Sequence, residues 1–368
     1  MKILLLNWRD PLNPDSGGAE IVTLEHAKAW VQHGHDVIWF TSRFKNSSKE
    51  EDLNGIKIVR YGNVMTVYFY AFFYYFFSGN KFDLVIDEIH GIPFFTPLYV
   101  KKPKIAFIHE VAGEIWNYML PFPLNLIGRL TEFLYLKIYK NMHFWTDANS
   151  TIDELVKNGI KRENCVAISC AISNKTLSKI PVKENVPTFI FVSRLVRMKG
   201  IEDVIDAFSL ILEKENKARL WIVGGGSDVY VKFLKNMTDK KGLSSKVKFW
   251  GKVDERKKLE LMSKAHILLH ASVKEGWGLV VIEAASQYTP SVVYDVAGLR
   301  DSVKNSKTGV VISENNPKKL AEEALFLYKD KERYQKYQEQ GVNWSRSLSW
   351  KNITSQSLNM INKYDKKN

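Results

Sequence analysis

Short aliphatic runs alternate with amphipathic stretches along the whole chain, and this alternation constrains the fold more than any other feature of the sequence. Between the runs, apolar side chains recur every three or four residues, as in the segment Glu20–His33, and this spacing predicts helices. Such an alternation is typical of parallel sheets covered by helices on both faces. The predicted strands are Lys2–Asn7, Asp36–Thr41, Ile56–Tyr61, Leu84–Asp87, Lys104–His109, His143–Thr146, Thr188–Val192, Ala218–Val223, Val247–Trp250, Ile267–Leu269, Ser291–Tyr294 and Gly309–Ile312.

The alternation starts twice, which predicts an α/β fold with two doubly wound domains. A chain of 368 residues is long enough for two cores of roughly 150–200 residues each. The polar segment 180–187 contains Pro181 and Pro187 and suits a linker. We therefore expect one domain over residues 1–180, a second over 181–345 and a last helix within 346–368. A ligand would lie at the carboxyl ends of the strands, where the two domains face each other across a cleft.

The lengths of the apolar runs and the cysteine content indicate the compartment in which the protein works. The longest apolar run, Val64–Phe77, falls short of the ~20 residues that span a membrane, and the first apolar run predicts a strand rather than a signal peptide. Cys165 and Cys170 are expected to be buried free thiols of a reducing compartment. Together these features favour a cytoplasmic protein.

The charge is distributed unevenly. Of the net charge of +13, most lies after residue 180, where 33 basic side chains face 22 acidic ones. An excess of this kind suits a phosphate-bearing ligand or an anionic membrane surface. No recognition motif accompanies the lysines, so we expect no nucleic-acid partner.

Two loops that follow predicted strands carry groups suited to phosphate. Gly17 and Gly18 precede the predicted first helix. Glycine lets a ligand come close to the backbone, and the free N–H groups at the start of a helix bind an anion. Arg194 and Lys199 lie in the loop 193–200, where both cations can bind a diphosphate.

Two further segments are rich in glycine. The turn around Gly225 lets a nucleotide approach the backbone, but its spacing does not fit a dinucleotide-binding fingerprint, so an NAD-dependent dehydrogenase is a weaker alternative. Glu275 and Glu283 lie eight positions apart around Gly278, and buried carboxylates need partners such as ligand hydroxyls. Glu283 is expected to open the helix that follows.

The order of these four segments resembles the retaining glycosyltransferases of family 4, which have the GT-B fold. The resemblance spans nearly the whole chain, and its most specific part is the pair of glutamates from Glu275 to Glu283 followed by the segment Tyr294–Asp301. It implies two Rossmann-like domains, with a C-terminal helix that returns to the first domain. It also implies transfer of a hexose-type sugar from a nucleotide-diphosphate sugar, with UDP favoured over GDP, to a glycan or lipid-linked acceptor.

The same resemblance assigns roles to individual residues. Gly17 and Gly18 would contact the donor phosphate, and Arg194 and Lys199 would bind the diphosphate as it leaves. Glu283 would hold the ribose hydroxyls. Glu275 would face the transferred sugar. The backbone of Gly278, Leu279 and Val280 would assist it, and His109 would be the histidine near the donor sugar.

No Asp-x-Asp pair occurs in the sequence, and the basic loop can neutralise the leaving diphosphate. We therefore expect no metal and no other cofactor. A nucleotide-sugar epimerase and a non-catalytic sugar-nucleotide-binding module remain as alternatives.

The acceptor side is marked by an aromatic run over residues 67–77 and an apolar stretch over 115–138, with Arg129, Lys137 and Lys140 beside it. These segments suit core helices, an acceptor site or a peripheral contact with the cytoplasmic face of a membrane. We expect an acceptor carried on a polyprenyl lipid.

Overall fold

The computed structural model describes residues 1–78, 81–174 and 176–365, and it divides the chain into two compact units. The first unit comprises Met1–Ala171 together with the chain from Trp350 onward, and the second comprises Ile172–Ser349. Each unit has its own sheet and its own buried core. The chain therefore passes from one unit to the other and back again.

An eight-stranded sheet forms the centre of the first unit. Its strands are β1 (Lys2–Leu6), β2 (Asp36–Thr41), β3 (Glu50–Leu53), β4 (Ile56–Arg60), β5 (Leu84–Ile89), β6 (Lys104–Ile108), β7 (His143–Thr146) and β8 (Cys165–Ala167). They lie in the order β3-β4-β2-β1-β5-β6-β7-β8 and are parallel except for the pair β3 and β4. The helices are α1 (Gly18–Gln32), α2 (Val67–Phe77), α3 (Trp116–Met119), α4 (Leu124–Ile138) and α5 (Asn149–Lys157).

The six strands predicted for this half are confirmed, but β3 and β8 were not predicted. Strand β3 reads Glu-Glu-Asp-Leu and shows no apolar alternation, because it is an exposed edge strand. It pairs with β4 through a turn in which Asn54 and Gly55 both have positive φ, at 58° and 81°. That turn geometry joins antiparallel strands tightly.

The second unit contains a six-stranded sheet that is parallel throughout. Its strands are β9 (Thr188–Val192), β10 (Arg219–Val223), β11 (Val247–Gly251), β12 (Ile267–His270), β13 (Ser291–Val293) and β14 (Gly309–Val311), in the order β11-β10-β9-β12-β13-β14. All six were predicted. The helices are α6 (Ile201–Lys214), α7 (Asp228–Lys240), α8 (Glu255–Lys264), α9 (Leu279–Ser286), α10 (Leu299–Ser302), α11 (Pro317–Lys329) and α12 (Lys331–Ser347).

Strands buried on both faces account for the near-continuous apolar runs in the sequence. Strands β1 and β9 are buried along almost their whole length, as expected for central strands of a covered parallel sheet. The apolar side chains of β9 point alternately into two clusters on opposite faces of the sheet: Phe189 and Phe191 lie in one, Ile190 and Val192 in the other. This burial fixes the strand register, and with it the positions of the loops that follow.

The last helix, α13 (Trp350–Asn362), packs against α1 in the first unit. The Ser357 hydroxyl accepts a hydrogen bond from Trp30 Nε1 at 3.1 Å and lies 2.8 Å from His26 Nδ1. Ile353 and Ile361 of the same helix are also buried. A segment that follows the second unit in sequence thus completes the core of the first.

Helix α2 buries only one side of the aromatic run. Val67, Ala71 and Tyr75 are buried, whereas Phe69 and Phe76 are 69% and 67% exposed. The run is therefore a core element along one face alone. Among the described residues, no helix combines the length and the apolar character needed to cross a membrane.

Both cysteines are free thiols, as predicted. Cys170 is buried, but Cys165 is only half-buried because it lies in β8, the edge strand of the sheet. The expectation that both thiols are buried is wrong for Cys165.

Candidate functional site

Three loops of the second unit meet at the carboxyl ends of three adjacent strands. The loop 193–200 follows β9, the glycine turn 224–226 follows β10, and the loop 271–278 follows β12. Leu195 N donates to Gly225 O at 2.8 Å, and Val273 N donates to Met198 O at 2.9 Å. Parallel strands present their carboxyl ends on one edge of the sheet, which is where ligands of such sheets bind.

Three side chains converge inside this group of loops. Lys199 Nζ lies 2.6 Å from Glu275 Oε1, and His270 Nε2 lies 2.9 Å from the same oxygen. Burial alone would raise the pKa of Glu275, but the Lys199 ammonium and the His270 ring hold it well below its usual range. Glu275 is therefore a carboxylate with a fixed orientation, and one of its oxygens carries both contacts.

His270 is a site residue that the sequence prediction missed. It ends β12, is fully buried and stacks near the Phe191 ring at 5.9 Å. Its Nδ1 atom has no hydrogen-bond partner among the described residues. The signal was present in the sequence, because His270 ends a parallel strand just as His109 follows one, but the predicted strand stopped at Leu269.

Two glycines allow the loops to pack this closely. Gly200 has φ +66°, and a Cβ at this position would lie 1.9 Å from the carbonyl oxygen of Ala271. Gly298 has φ +77°, and its Cβ would lie 2.3 Å from the carbonyl oxygen of Glu275. A side chain at either position would push against backbone, so the approach of these loops requires glycine.

Helix α9 begins directly behind the loop 271–278. Gly278 caps it with φ +85°, and the first two N–H groups belong to Leu279 and Val280. N–H groups in a first turn have no acceptor within their own helix and carry a partial positive charge. The predicted backbone contacts of Gly278, Leu279 and Val280 thus lie at a helix N-terminus, where an anion is stabilised.

Glu283 lies in the second turn of α9 rather than at its start, so the expectation that Glu283 opens the helix is wrong. The helix starts earlier because Gly278 supplies the left-handed cap. Glu283 Oε2 lies 2.8 Å from Lys258 Nζ on α8. Burial raises the pKa of Glu283, although Lys258 opposes this shift. Lys258 was not singled out from the sequence, since only the fold brings it to Glu283.

The two predicted diphosphate ligands are in different states. Lys199 is engaged with Glu275, whereas Arg194 is exposed and makes no ion pair within the described part of the chain. Gly225 is the open position of the glycine turn, since a Cβ there would meet nothing closer than Lys252 Cβ at 3.5 Å. An anion at this edge of the sheet would therefore find one unpaired guanidinium and one ammonium already balanced by a carboxylate.

In the first unit, the glycine loop is held by a buried glutamate. Gly17 N donates to Glu20 Oε2 at 2.7 Å, and Arg9 Nε donates to Glu20 Oε1 at 3.0 Å. The Gly17 N–H is therefore already used by Glu20, and the contact predicted for the donor phosphate through the Gly18 N–H stays a prediction. Gly18 begins α1, and its N–H belongs to the first turn.

His109 lies immediately after β6, between two carboxylates. Its Nδ1 atom is 2.5 Å from Asp147 Oδ2, and its Nε2 atom is 3.1 Å from Glu88 Oε1. Burial alone would lower the pKa of His109, but the two carboxylates raise it to about 10. Neither Glu88 nor Asp147 was predicted as a site residue, because the contacts join three strands that are distant in sequence.

His90 stacks on the ring of His109 with centroids 5.0 Å apart. Glu88, His90 and His109 each offer a potential metal ligand, and these ligand atoms lie within 4.8 Å of one another. They are the residues of the described chain best suited to hold a metal ion. The expectation of a metal-free site remains a prediction.

Two family models match the chain. The family described as glycosyl transferases group 1 matches residues 173–344, and glycosyltransferase family 4 matches residues 16–175. An uncharacterised glycosyltransferase of Methanocaldococcus jannaschii is 25% identical over 98% of this chain and 97% of its own length.

Solved structures resemble the fold over almost the whole chain. Sucrose-phosphate synthase from Thermosynechococcus elongatus has a TM-score of 0.81 at 18% identity, with 98% of each chain covered. HepE of Anabaena, solved in complex with UDP-glucose, has a TM-score of 0.74 at 16% identity, with 99% of this chain and all of that chain covered. At these identities the likeness shows the fold alone.

Proposed function

Because the chain belongs to the group 1 glycosyltransferases and has their GT-B fold, we propose that it moves a hexose-type sugar from a nucleotide-diphosphate sugar to a glycan or lipid-linked acceptor. The chain is a glycosyltransferase; the donor, acceptor, stereochemistry and metal requirement are the proposed parts. Transfer would retain the anomeric configuration, as the resemblance to family 4 implies, and UDP would be the nucleotide. HepE, which shares the fold, binds UDP-glucose.

The observation that carries the donor proposal is the convergence of Lys199, Glu275 and the start of α9 at one edge of the sheet. A diphosphate needs positive charge, which Arg194, Lys199 and the helix N-terminus can supply. A sugar needs fixed hydrogen-bond acceptors, and Glu275 is such an acceptor. Glu283, the fifth residue of the same helix, suits the ribose hydroxyls.

The chemical work at this site is stabilisation of the leaving nucleotide. As the bond between the sugar and the diphosphate breaks, negative charge develops on the phosphate oxygen. In this proposal Arg194 and Lys199 neutralise that charge. We propose that activity does not depend on a divalent cation, because these two side chains and the helix dipole supply the charge.

Donor binding can be tested by thermal unfolding with UDP-glucose and GDP-glucose, each in the presence of EDTA, followed by assay of released nucleotide. We expect one donor to raise the melting temperature and to be hydrolysed slowly without metal. Glu283→Gln should abolish the shift. Glu255→Gln is the matched control, because Glu255 also contacts Lys258, at 2.9 Å, but is mostly exposed. If no sugar nucleotide stabilises the protein, the donor proposal fails.

We further propose that the acceptor is carried on a polyprenyl lipid and that the first unit docks on the cytoplasmic face of an anionic membrane. Helix α4 buries one face and exposes a second face that is also apolar. The exposed apolar side chains of α4 and of the segment before it are Tyr118, Met119, Phe122, Leu124, Leu126, Ile127, Leu130, Phe133, Leu134 and Ile138. Arg129, Lys137 and Lys140 lie among them and are exposed.

An apolar face edged by cations is the arrangement that binds anionic bilayers. Lys137 Nζ lies over the Phe133 ring at 4.1 Å, so its stem follows the apolar surface while its charge reaches outward. Phe122, which is 79% exposed, marks the same surface.

Flotation with vesicles that contain phosphatidylglycerol tests this docking. We expect binding at low salt that weakens as salt rises. The double variant Phe122→Glu and Leu130→Glu should reduce binding by about tenfold or more, since two anchors are lost and two like charges are added. Val229→Glu is the control, because Val229 is an apolar side chain of the second unit that is 83% exposed. Absence of binding at low salt would contradict the membrane proposal.

A further inference from the structure

Glu275 has two partners of different kinds, and both contact the same oxygen. Lys199 Nζ lies 2.6 Å and His270 Nε2 lies 2.9 Å from Glu275 Oε1. An ammonium group can only donate, so Oε1 accepts a hydrogen bond from Lys199. A carboxylate can accept from His270 as well only if the ring carries a hydrogen on Nε2. His270 is therefore a second donor to Glu275.

The other nitrogen of the His270 ring supports this assignment. His270 Nδ1 is buried and has no hydrogen-bond partner among the residues that the structure describes. A hydrogen on Nδ1 would be a buried donor without an acceptor, which is unfavourable. A hydrogen on Nε2 is instead used by Glu275, and the ring then has no unpaired donor.

The two partners of Glu275 differ in how freely they can move. His270 ends β12, which lies inside the sheet between β9 and β13. Its side chain is fully buried and stacks near the Phe191 ring, with centroids 5.9 Å apart. Lys199 lies in a loop and carries its charge at the end of a flexible four-carbon stem. The histidine is thus a fixed partner and the lysine a movable one.

Only the side chain of Lys199 has this freedom, because its backbone is held on both sides. Lys199 N donates to Val196 O at 2.9 Å, and the neighbouring carbonyl of Met198 accepts from Val273 N at 2.9 Å. Lys199 can therefore direct its charge to a new partner while the loop 193–200 stays in place.

A diphosphate at this edge of the sheet would compete with Glu275 for the Lys199 ammonium. As the ammonium turns to a phosphate oxygen, Glu275 loses its ion pair but stays buried. A buried carboxylate without a partner is costly, and that cost would oppose the binding of the diphosphate. His270 reduces the cost, because its hydrogen bond to Oε1 does not depend on Lys199.

We infer that His270 is a positioning residue of the donor site, which holds Glu275 through Nε2 while the Lys199 ammonium moves from Glu275 to the diphosphate. The inference rests on the proposed function, since it requires a diphosphate to bind at this edge of the sheet. Because Oε1 stays on His270, Oε2 keeps its direction when Lys199 leaves. The carboxylate then needs no reorientation as the reaction proceeds.

A double-mutant cycle separates this role from simple packing. Binding of UDP and of GDP is measured by titration calorimetry in EDTA for wild type, His270→Leu, Glu275→Gln and the double variant. His270→Leu alone should weaken nucleotide binding about tenfold or more, because the movement of Lys199 then leaves Glu275 unpaired. In the Glu275→Gln background the same substitution should change binding less than about threefold, since no buried charge remains. Equal effects in the two backgrounds would overturn the inference.

Two further variants test whether the hydrogen bond is responsible. His270→Gln keeps an N–H donor and should bind the nucleotide within about threefold of wild type. His266→Leu removes a buried histidine directly before β12, whose Nδ1 accepts from Thr188 N at 3.1 Å, and it should leave nucleotide binding unchanged. A loss in either variant as large as that in His270→Leu would overturn the positioning role.

The hydrogen bond can also be observed without ligand, by NMR on protein labelled with ¹⁵N-histidine. The chain has eight histidines, and the His270 resonances are identified by their absence in His270→Gln. We expect a hydrogen on Nε2 at neutral pH and a changed Nε2 resonance in Glu275→Gln. A ring with its hydrogen on Nδ1 alone would overturn the inference.

The two experiments distinguish the inference from the function on which it rests. If neither nucleotide binds the wild type, the donor proposal fails, and the movement of Lys199 to a diphosphate fails with it. The NMR spectrum of the free protein still decides whether His270 donates to Glu275. If a nucleotide binds but the cycle shows no coupling between His270 and Glu275, the donor proposal stands and the positioning role fails.

Discussion

At the scale of single residues, each unit holds its candidate functional groups in fixed contacts. In the second unit Glu275 contacts Lys199 and His270, and in the first unit His109 lies between Glu88 and Asp147. Such contacts orient each group before a ligand arrives, so little reorganisation remains to be done when charge develops. The cost is that these groups are buried, which is tolerated only because each has a partner of opposite charge.

Lys199→Met should lower donor turnover by roughly 10²- to 10³-fold, the usual effect of removing one preorganised donor to developing negative charge. The same substitution leaves Glu275 buried without its cation, so the pKa of Glu275 should rise and activity should be lost further as the pH falls. Steady-state kinetics from pH 5 to pH 8 measure both effects. Arg197→Met, at an exposed neighbour in the same loop, should change turnover less than about threefold. Equal losses in the two variants would contradict a role for Lys199 at the diphosphate.

The sequence predicted the positions that lie at strand ends and missed the partners that reach them from elsewhere. Arg194, Lys199 and Glu275 follow strands, and a rule about strand ends finds such positions. Lys258 reaches Glu283 from a neighbouring helix, and Glu88 reaches His109 from a neighbouring strand. Contacts of this kind depend on sheet order and helix packing, which periodicity in a single sequence does not contain.

At the scale of elements, the sequence predicted most strands but not the contacts between loops. The twelve strands predicted from apolar runs are present, because a covered parallel sheet demands apolar residues on both faces. The acidic edge strand Glu50–Leu53 was not predicted from apolar runs, because this strand is exposed and is held by its pairing with β4. The loops were placed correctly, but their contacts depend on backbone approach at positions such as Gly200.

Gly200→Ala should destabilise the second unit by several kcal/mol, because the left-handed backbone costs about 1–2 kcal/mol for alanine and the clash with the Ala271 carbonyl adds to it. Gly242→Ala separates the cost of the left-handed backbone from the cost of the clash. Gly242 has a nearly identical φ of +69°, but a Cβ there meets nothing within 4 Å. Its cost should be that of the left-handed backbone alone, about 1–2 kcal/mol. Urea denaturation of the two variants measures the difference, and equal destabilisation would show that the loops adapt.

At the scale of the whole molecule, the two units differ in whether they are formed by one continuous segment of the chain. The second unit is a continuous segment, whereas the first combines residues from both ends of the described sequence. Helix α13 buries Ile353 and Ile361 and bonds Trp30 through Ser357. Each buried aliphatic side chain of this kind contributes about 1.5–3 kcal/mol, so α13 accounts for a substantial part of the stability of the first unit.

Ending the chain after Ser349 should therefore destabilise the first unit and leave the core of the second intact. Hydrogen exchange should become faster in α1, where Trp30 and His26 lose their cover, while amides of β9 and β12 keep their protection. A chain that ends after Asp365 is the control and should exchange like the full sequence. Loss of protection in both units after the longer truncation would contradict the independence of the two cores.

Because α13 packs on the first unit but follows the second unit in sequence, the core of the first unit is completed late during synthesis. A ribosome releases the strands of the first sheet early, yet the helix that covers Trp30 is made only after the entire second unit has emerged. For that interval the nascent chain displays an uncovered aromatic surface beside a sheet that is otherwise complete. Each unfinished chain thus carries a surface that chaperones can occupy until helix α13 covers it.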